Sequence, residues 1–125
     1  MSLSVTEQAT EFLLRWLAVM DSDSPERVLD MITPDFHQSI LFGTPEGARE
    51  WLGGRAELEQ YLAQREPDGQ EHLVESVTRE GDRETLVGYT TRYGERLATY
   101  VMIAELSGDR VRRLFCARTP NFHFA

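Results

Sequence analysis

Apolar residues recur along the first part of the chain at spacings of three and four: Val5, Ala9, Phe12, Leu13, Trp16, Leu17 and Met20. Such spacing is one face of a helix. Glu7, Glu11 and Arg15 lie on the other face, and Ser4 followed by Glu7 has the form of a capping box at its start. Asp21 to Ser24 is a polar break. Ser24-Pro25-Glu26 then opens a second, short helix, with Pro in the first turn, where its missing N–H costs nothing. Val28, Leu29, Met31 and Ile32 form its apolar face, and Thr33-Pro34 ends it. From Phe36 to Phe42 the period drops to two, with Phe36, Gln38, Ile40 and Phe42 on one side of a strand. Gly43 to Gly54 reads as a loop containing Trp51. A third helix follows from Arg55 to Arg65, with Ala56, Leu58, Tyr61 and Leu62 at helical spacing, stopped by Pro67-Asp68-Gly69.

The second half alternates. His72 to Arg79, Thr85 to Tyr93, Arg96 to Leu106 and Arg110 to Arg118 read as four strands. Gly81-Asp82, Gly94-Glu95 and Gly108-Asp109 are connections short enough for antiparallel hairpins. Helices followed by a run of strands predict an α+β domain rather than a parallel α/β sheet. The expected architecture is three N-terminal helices packed on a curved, mainly antiparallel sheet, as one domain over residues 1–125.

Composition narrows the function more than the fold. A chain of 125 residues can bury one core without disulfide or metal staples. No apolar run approaches the roughly 20 residues that cross a bilayer, and Met1 to Thr6 lacks the pattern of a secretory signal. A cytoplasmic protein without a membrane partner is expected. The net charge of −8 argues against nucleic acid as a partner. The one basic cluster, Arg110, Arg112 and Arg113, is split across both faces of a strand. Cys116 is the sole cysteine, so there is neither an internal disulfide nor the ligand spacing of a zinc site. All 13 basic residues are Arg, which excludes Schiff-base chemistry on a lysine. The chain has no HExxH, P-loop or G-x-S-x-G motif.

Several strings together carry a family likeness: Ser24-Pro25-Glu26 through Asp35-Phe36, Gly54-Arg55-Ala56-Glu57-Leu58, Gly81-Asp82 and Gly108-Asp109-Arg110-Val111. With the order of elements, the chain resembles the nuclear transport factor 2-like superfamily, and within it SnoaL-like polyketide cyclases and ketosteroid isomerases. The resemblance implies a cone in which helices and a concave sheet enclose an apolar pocket, where many members carry out cofactor-free acid/base chemistry and others only bind or dimerise. It does not supply the isomerase residues. The slot of the oxyanion-stabilising tyrosine falls on Trp16 and that of the general-base aspartate on Ile40. The slot of the protonated acid falls on Met102, or on Ile103 if the hairpin is aligned one residue differently.

Strand alternation and the resemblance nominate the pocket wall. Gln38, Ile40 and Phe42 come from the first strand, and Tyr89 and Tyr93 from the third. Met102, Leu114 and Cys116 come from the last two. Trp16, Met20, Tyr61 and Trp51 would close it. The wall suits a small apolar or cyclic ligand, and Tyr61, Tyr89 and Gln38 are the candidates for catalysis. Arg92 and Arg118 flank Tyr89 and Cys116, where an arginine at the mouth could hold a carboxylate, although surface ion pairing is commoner. His37 lies beside Asp35, but alternation turns it away from the pocket. His72 and His123 have no partner readable in the sequence. Cys116 fits a buried, apolar thiol. Two readings follow: a cofactor-free isomerase, cyclase or dehydratase, or a non-catalytic binding or assembly module. Both expect a homodimer through the back of the sheet, where Leu86, Thr90, Val101 and Phe115 place apolar and β-branched side chains.

Overall fold

The computed structural model describes residues 3–65 and 69–124. It has helix α1 (Phe12–Met20), a 3-10 helix (Pro25–Met31), strands β1 (Ile32–Thr44) and β2 (Gly47–Gly53) and helix α2 (Arg55–Gln64). Strands β3 (Gln70–Glu80), β4 (Arg83–Arg92), β5 (Glu95–Ser107) and β6 (Arg110–Thr119) follow. The six strands form one sheet in the order β2-β1-β6-β5-β4-β3, antiparallel throughout except for the β1–β6 pair. Register shifts that leave extra residues in β1, β3, β5 and β6 bend the ladder. The fold is therefore α+β, but the three helices are not all N-terminal: α2 is inserted between β2 and β3.

The alternating half of the chain forms the four expected strands. Two hairpins turn at Gly81-Asp82 and Gly108-Asp109, as the pairs Glu80–Arg83 and Ser107–Arg110 show. The middle one turns one residue earlier, at Tyr93-Gly94 between Arg92 and Glu95. Both its residues have positive φ, the demand of the primed turns that match strand twist.

The first half departs from expectation more. α1 begins at Phe12, not near Ser4. The chain before it instead places Leu3 beside Val74 of β3. The missing cap comes from across the fold: the Glu84 carboxylate accepts the backbone N–H groups of Phe12 and Leu13, both at 2.9 Å. Glu84 is 1% exposed, so β4 supplies the negative charge that a helix N-terminus favours. The second helix lies where expected but is 3-10 in form. β1 starts at Ile32 and carries Pro34 within it. The segment expected as a loop pairs with β1 from Gln38–Gly53 to Thr44–Gly47, forming edge strand β2. Its glycines and Pro45 mark the hairpin turn and the end of the strand. α2 matches its expected span and is capped by the Glu57 carboxylate, which accepts the Gly54 N–H at 2.7 Å. Pro67-Asp68, expected to end that helix, lies outside the described residues. Among those described, no helix is long and apolar enough to cross a membrane.

The core lies between α1 and the sheet: Phe12, Leu13, Trp16 and Leu17 pack over Leu86, Met102, Ala104 and Leu114. In β4 the buried residues are Glu84, Leu86, Gly88 and Thr90, which alternate, and Thr91, which follows the register shift after Thr90. Leu86 and Thr90 thus face the helices, and the assignment of these two to the back of the sheet is corrected. Both faces of β4 carry apolar groups, so alternation fixes the parity but cannot say which parity is inside.

Candidate functional site

Three successive rungs of the sheet build the floor of a cavity. Ala104, Leu114 and Gln38 are cross-strand neighbours at its deep end, followed by Met102, Cys116 and Ile40, then Tyr100, Arg118 and Phe42. Trp16, Leu17 and Met20 of α1 and Leu58 and Tyr61 of α2 roof it, the buried Thr90 completes the wall, and the partly exposed Arg65, Gln70 and His72 form the mouth. The enclosed volume is about 300 Å³, enough for a small molecule of one or two rings.

Of the residues nominated from sequence, Trp16, Met20, Gln38, Ile40, Phe42, Tyr61, Met102, Leu114 and Cys116 line this cavity. Three do not. Trp51 stands behind Tyr61, edge-on at 5.8 Å between ring centroids. Tyr89 is on the outer face, where the Arg96 guanidinium lies 3.8 Å from its ring centre. Tyr93 is 84% exposed in its hairpin turn. The inverted reading of β4 explains the misplacement of Tyr89. The isomerase slots are all at the cavity, filled by Trp16, Ile40 and Met102; Ile103 pairs with Phe115 across the outer face.

What the sequence reading missed is polar. His72 has a partner: its Nδ1 lies 2.7 Å from Asp21 Oδ1, and its backbone N–H donates to Asp21 Oδ2 at 3.2 Å. Asp21 caps the end of α1 and His72 lies near the start of β3, so the pair exists only once helix and sheet dock. The imidazole also packs edge-on against Tyr100, with centroids 5.3 Å apart. Tyr100 reaches across Gly88 to donate its hydroxyl to Leu73 O at 3.2 Å. A Cβ at Gly88 would lie 2.2 Å from that carbonyl oxygen and 2.7 Å from the Tyr100 hydroxyl, so only glycine fits there.

Gln38 is 1% exposed, yet neither its amide nitrogen nor its oxygen has a hydrogen-bond partner among the described residues. A buried amide left unpaired costs on the order of 1–3 kcal/mol per group, so its position in the cavity wall invites a polar ligand atom. Burial raises the pKa values of Tyr61 and Tyr100 above the ordinary phenol range. Both are therefore donors and not bases near neutral pH.

Burial also pushes the Cys116 thiol up to about 12, against the opposing pull of Arg118. Only the thiolate reacts, so at pH 8 roughly 1 in 10⁴ molecules carries it. Alkylation of the folded protein at pH 8 should run about 10³-fold slower than that of a free cysteine, and should reach the free rate in denaturant. Rapid labelling of the native protein would contradict this environment. Among the described residues, no group of three His, Cys, Asp or Glu side chains could hold a metal ion.

No protein-family model matches the chain, and no curated protein does. Solved structures match over nearly its whole length. A candidate ketosteroid isomerase from Kribbella flavida DSM 17836 superposes with a TM-score of 0.67 at 16% identity, covering 98% of this chain and 85% of its own. A candidate SnoaL-like polyketide cyclase from Jannaschia sp. CCS1 gives 0.64 at 20% identity, covering 91% and 87%. An NTF2-like protein of unknown function from Cytophaga hutchinsonii ATCC 33406 gives 0.57 at 16% identity, covering 96% of each chain. The chain thus has the nuclear transport factor 2-like fold. At these identities the likeness carries the architecture, and activity has to be argued from the site.

Proposed function

We propose that this protein is a cofactor-free acid/base catalyst of the isomerase, cyclase or dehydratase kind, acting on a small, largely apolar molecule held in the cavity. The observation that carries this reading is the His72–Asp21 pair at the mouth of a cavity with a mainly apolar wall. With Nδ1–H donated to Asp21, Nε2 becomes the basic nitrogen, and no described residue hydrogen-bonds to it. His72 would take a proton from a carbon beside a substrate carbonyl. The electron pair left behind moves onto the carbonyl oxygen, where the Gln38 amide or the Tyr61 hydroxyl can donate to it. Return of the proton to another position completes an isomerisation.

Incubation with small cyclic ketones in D₂O tests this directly. Solvent deuterium should enter next to the carbonyl at a rate well above the buffer rate. Exchange that is unchanged when Asp21→Asn is introduced would remove the dyad from the mechanism. The second reading, a binding module of the same fold, is favoured by Ile40 and Met102 in the isomerase slots. It predicts ligand binding with no exchange at all.

A homodimer through the outer face of the sheet is also proposed. There Val87, Val101, Ala117 and Leu41 form one cross-strand row, and Thr85, Ile103, Phe115 and Ser39 the next. Phe115 is 38% and Leu52 56% exposed, an apolar content unusual for a sheet face left in water. Light scattering at micromolar concentration should give twice the chain mass, and Val101→Glu should halve it. A wild-type monomer would refute the dimer.

A further inference from the structure

The chain carries a net charge of −8, yet no Asp or Glu is among the described residues that line the cavity, while Arg65 and Arg118 do. Neither arginine has a carboxylate partner among the described residues. Arg118 donates only to neutral oxygens, Gln70 Oε1 and Thr90 Oγ1, each at a long 3.4 Å. Arg65 donates to the Met20 carbonyl at 3.2 Å and leans over the Tyr61 ring. Both are half-buried. Guanidinium groups are usually satisfied by carboxylates when drawn out of water, so two in one cavity without them mark a site for an anion. The mouth then runs into an open groove that shares Phe42, Gln70 and Arg118 and adds Arg49. No Asp or Glu is among its described lining residues either. The one carboxylate described near this mouth, Asp21, is engaged by His72, so the arginines leave the entrance net positive, and a positive entrance on an acidic protein concentrates anions.

The deep end has the opposite character. Gln38 stands two rungs below Arg118, because Gln38 pairs with Leu114 and Phe42 with Arg118. At about 3.3 Å per residue that separation is roughly 13 Å along the strand, and an arginine side chain reaches back over part of it. Ile40, Met102 and Cys116 form the apolar rung between.

We propose that the cavity takes a small organic monoacid, its carboxylate held at the mouth by Arg118 and Arg65 and a hydroxyl or carbonyl at its far end bonded to Gln38. The inference rests on the cavity being a ligand site but not on any chemistry occurring there. A carboxylate can accept from both guanidinium groups. A distal hydroxyl can donate to Gln38 Oε1 and accept from Nε2, which satisfies the orphaned amide. An aliphatic or aromatic spacer fills the middle rung.

The test is a binding measurement that needs no turnover. Calorimetric titration would use 3-(4-hydroxyphenyl)propanoate, its neutral primary amide, and 3-phenylpropanoate, which lacks the far hydroxyl. The acid should bind at least 10-fold more tightly than the amide, and more weakly as salt is raised. Removal of the hydroxyl should cost about 5-fold or more, and Gln38→Leu should abolish that difference. Arg118→Gln and Arg65→Gln should each reduce acid binding at least 5-fold while leaving the amide unaffected. Because the acid–amide comparison is made on the wild-type protein, a variant that folds poorly does not decide the matter. Equal binding of acid and amide, or no binding of the acid at 10 mM, overturns the proposal. Tight acid binding without deuterium exchange in the ketone assay would uphold the anion site while the catalytic reading fails.

Discussion

Replacing His72 by glutamine should lower turnover by about 10²–10⁴-fold, the range that a positioned general base contributes, with little change in ligand affinity. The side chain is about one-fifth exposed and held by a single carboxylate, so glutamine can keep much of the contact with Asp21 without supplying a basic nitrogen. The backbone N–H of residue 72 still donates to Asp21, which anchors the start of β3 in the variant as in the parent. Asp21→Asn should fall between the two, since it leaves the imidazole in place but no longer fixes its tautomer. The two effects should not add, because both substitutions disable one unit. A fall in kcat with unchanged KM and unchanged thermal stability separates a chemical role from a structural one. Full turnover by His72→Gln would place the chemistry elsewhere in the cavity.

Glu84→Ala should be the most destabilising single change at a polar position. It leaves the Phe12 and Leu13 N–H groups buried with no acceptor, removes the negative charge from the start of α1, and opens a void in β4. Losing a buried charged partner of this kind costs about 2–4 kcal/mol. In a domain this size that is a fall in Tm of roughly 8–16 °C. Glu84→Gln keeps one oxygen acceptor and should lose about half as much. Urea unfolding of the three proteins measures the series, and a loss below about 1 kcal/mol for the alanine variant would show that α1 is capped otherwise. Because α1 roofs the cavity with Trp16, Leu17 and Met20, ligand binding should weaken in parallel with stability.

Glu84 also shows where reading the chain alone stops. By pattern it is a charged residue near a hairpin, which belongs outside, and helix 1 then begins at the only visible cap, Ser4. In the fold the cap lies 72 residues from Phe12, so no local signal announces it. The same holds for the base: His72 and Asp21 are 51 residues apart, each unremarkable among its neighbours. Strand β2 was hidden differently. Its sequence, Gly-Ala-Arg-Glu-Trp-Leu-Gly, has little strand propensity, and it is held as an edge by pairing with β1.

Most of the apolar cavity wall, by contrast, was legible. Gln38, Ile40 and Phe42 on β1, Met102 on β5, and Leu114 and Cys116 on β6 follow from alternation along strands whose bounds are marked by glycine turns. Trp16, Met20 and Tyr61 follow from helical spacing. Tyr89 failed because β4 is apolar on both faces, and only packing against α1 decides that Leu86, Gly88 and Thr90 turn inward.

The sequence by itself determined the three hairpins of the second half to within a residue, the alternation of their strands and the switch from helical to alternating period, because these depend on residues two to four positions apart. The tertiary structure alone decided where α1 starts, which face of β4 is buried, that Asp21 meets His72, and that Arg65 and Arg118 share a cavity with no carboxylate among its described lining residues. Those are contacts between residues distant in the chain, whose energies exist only after the helices have closed over the sheet.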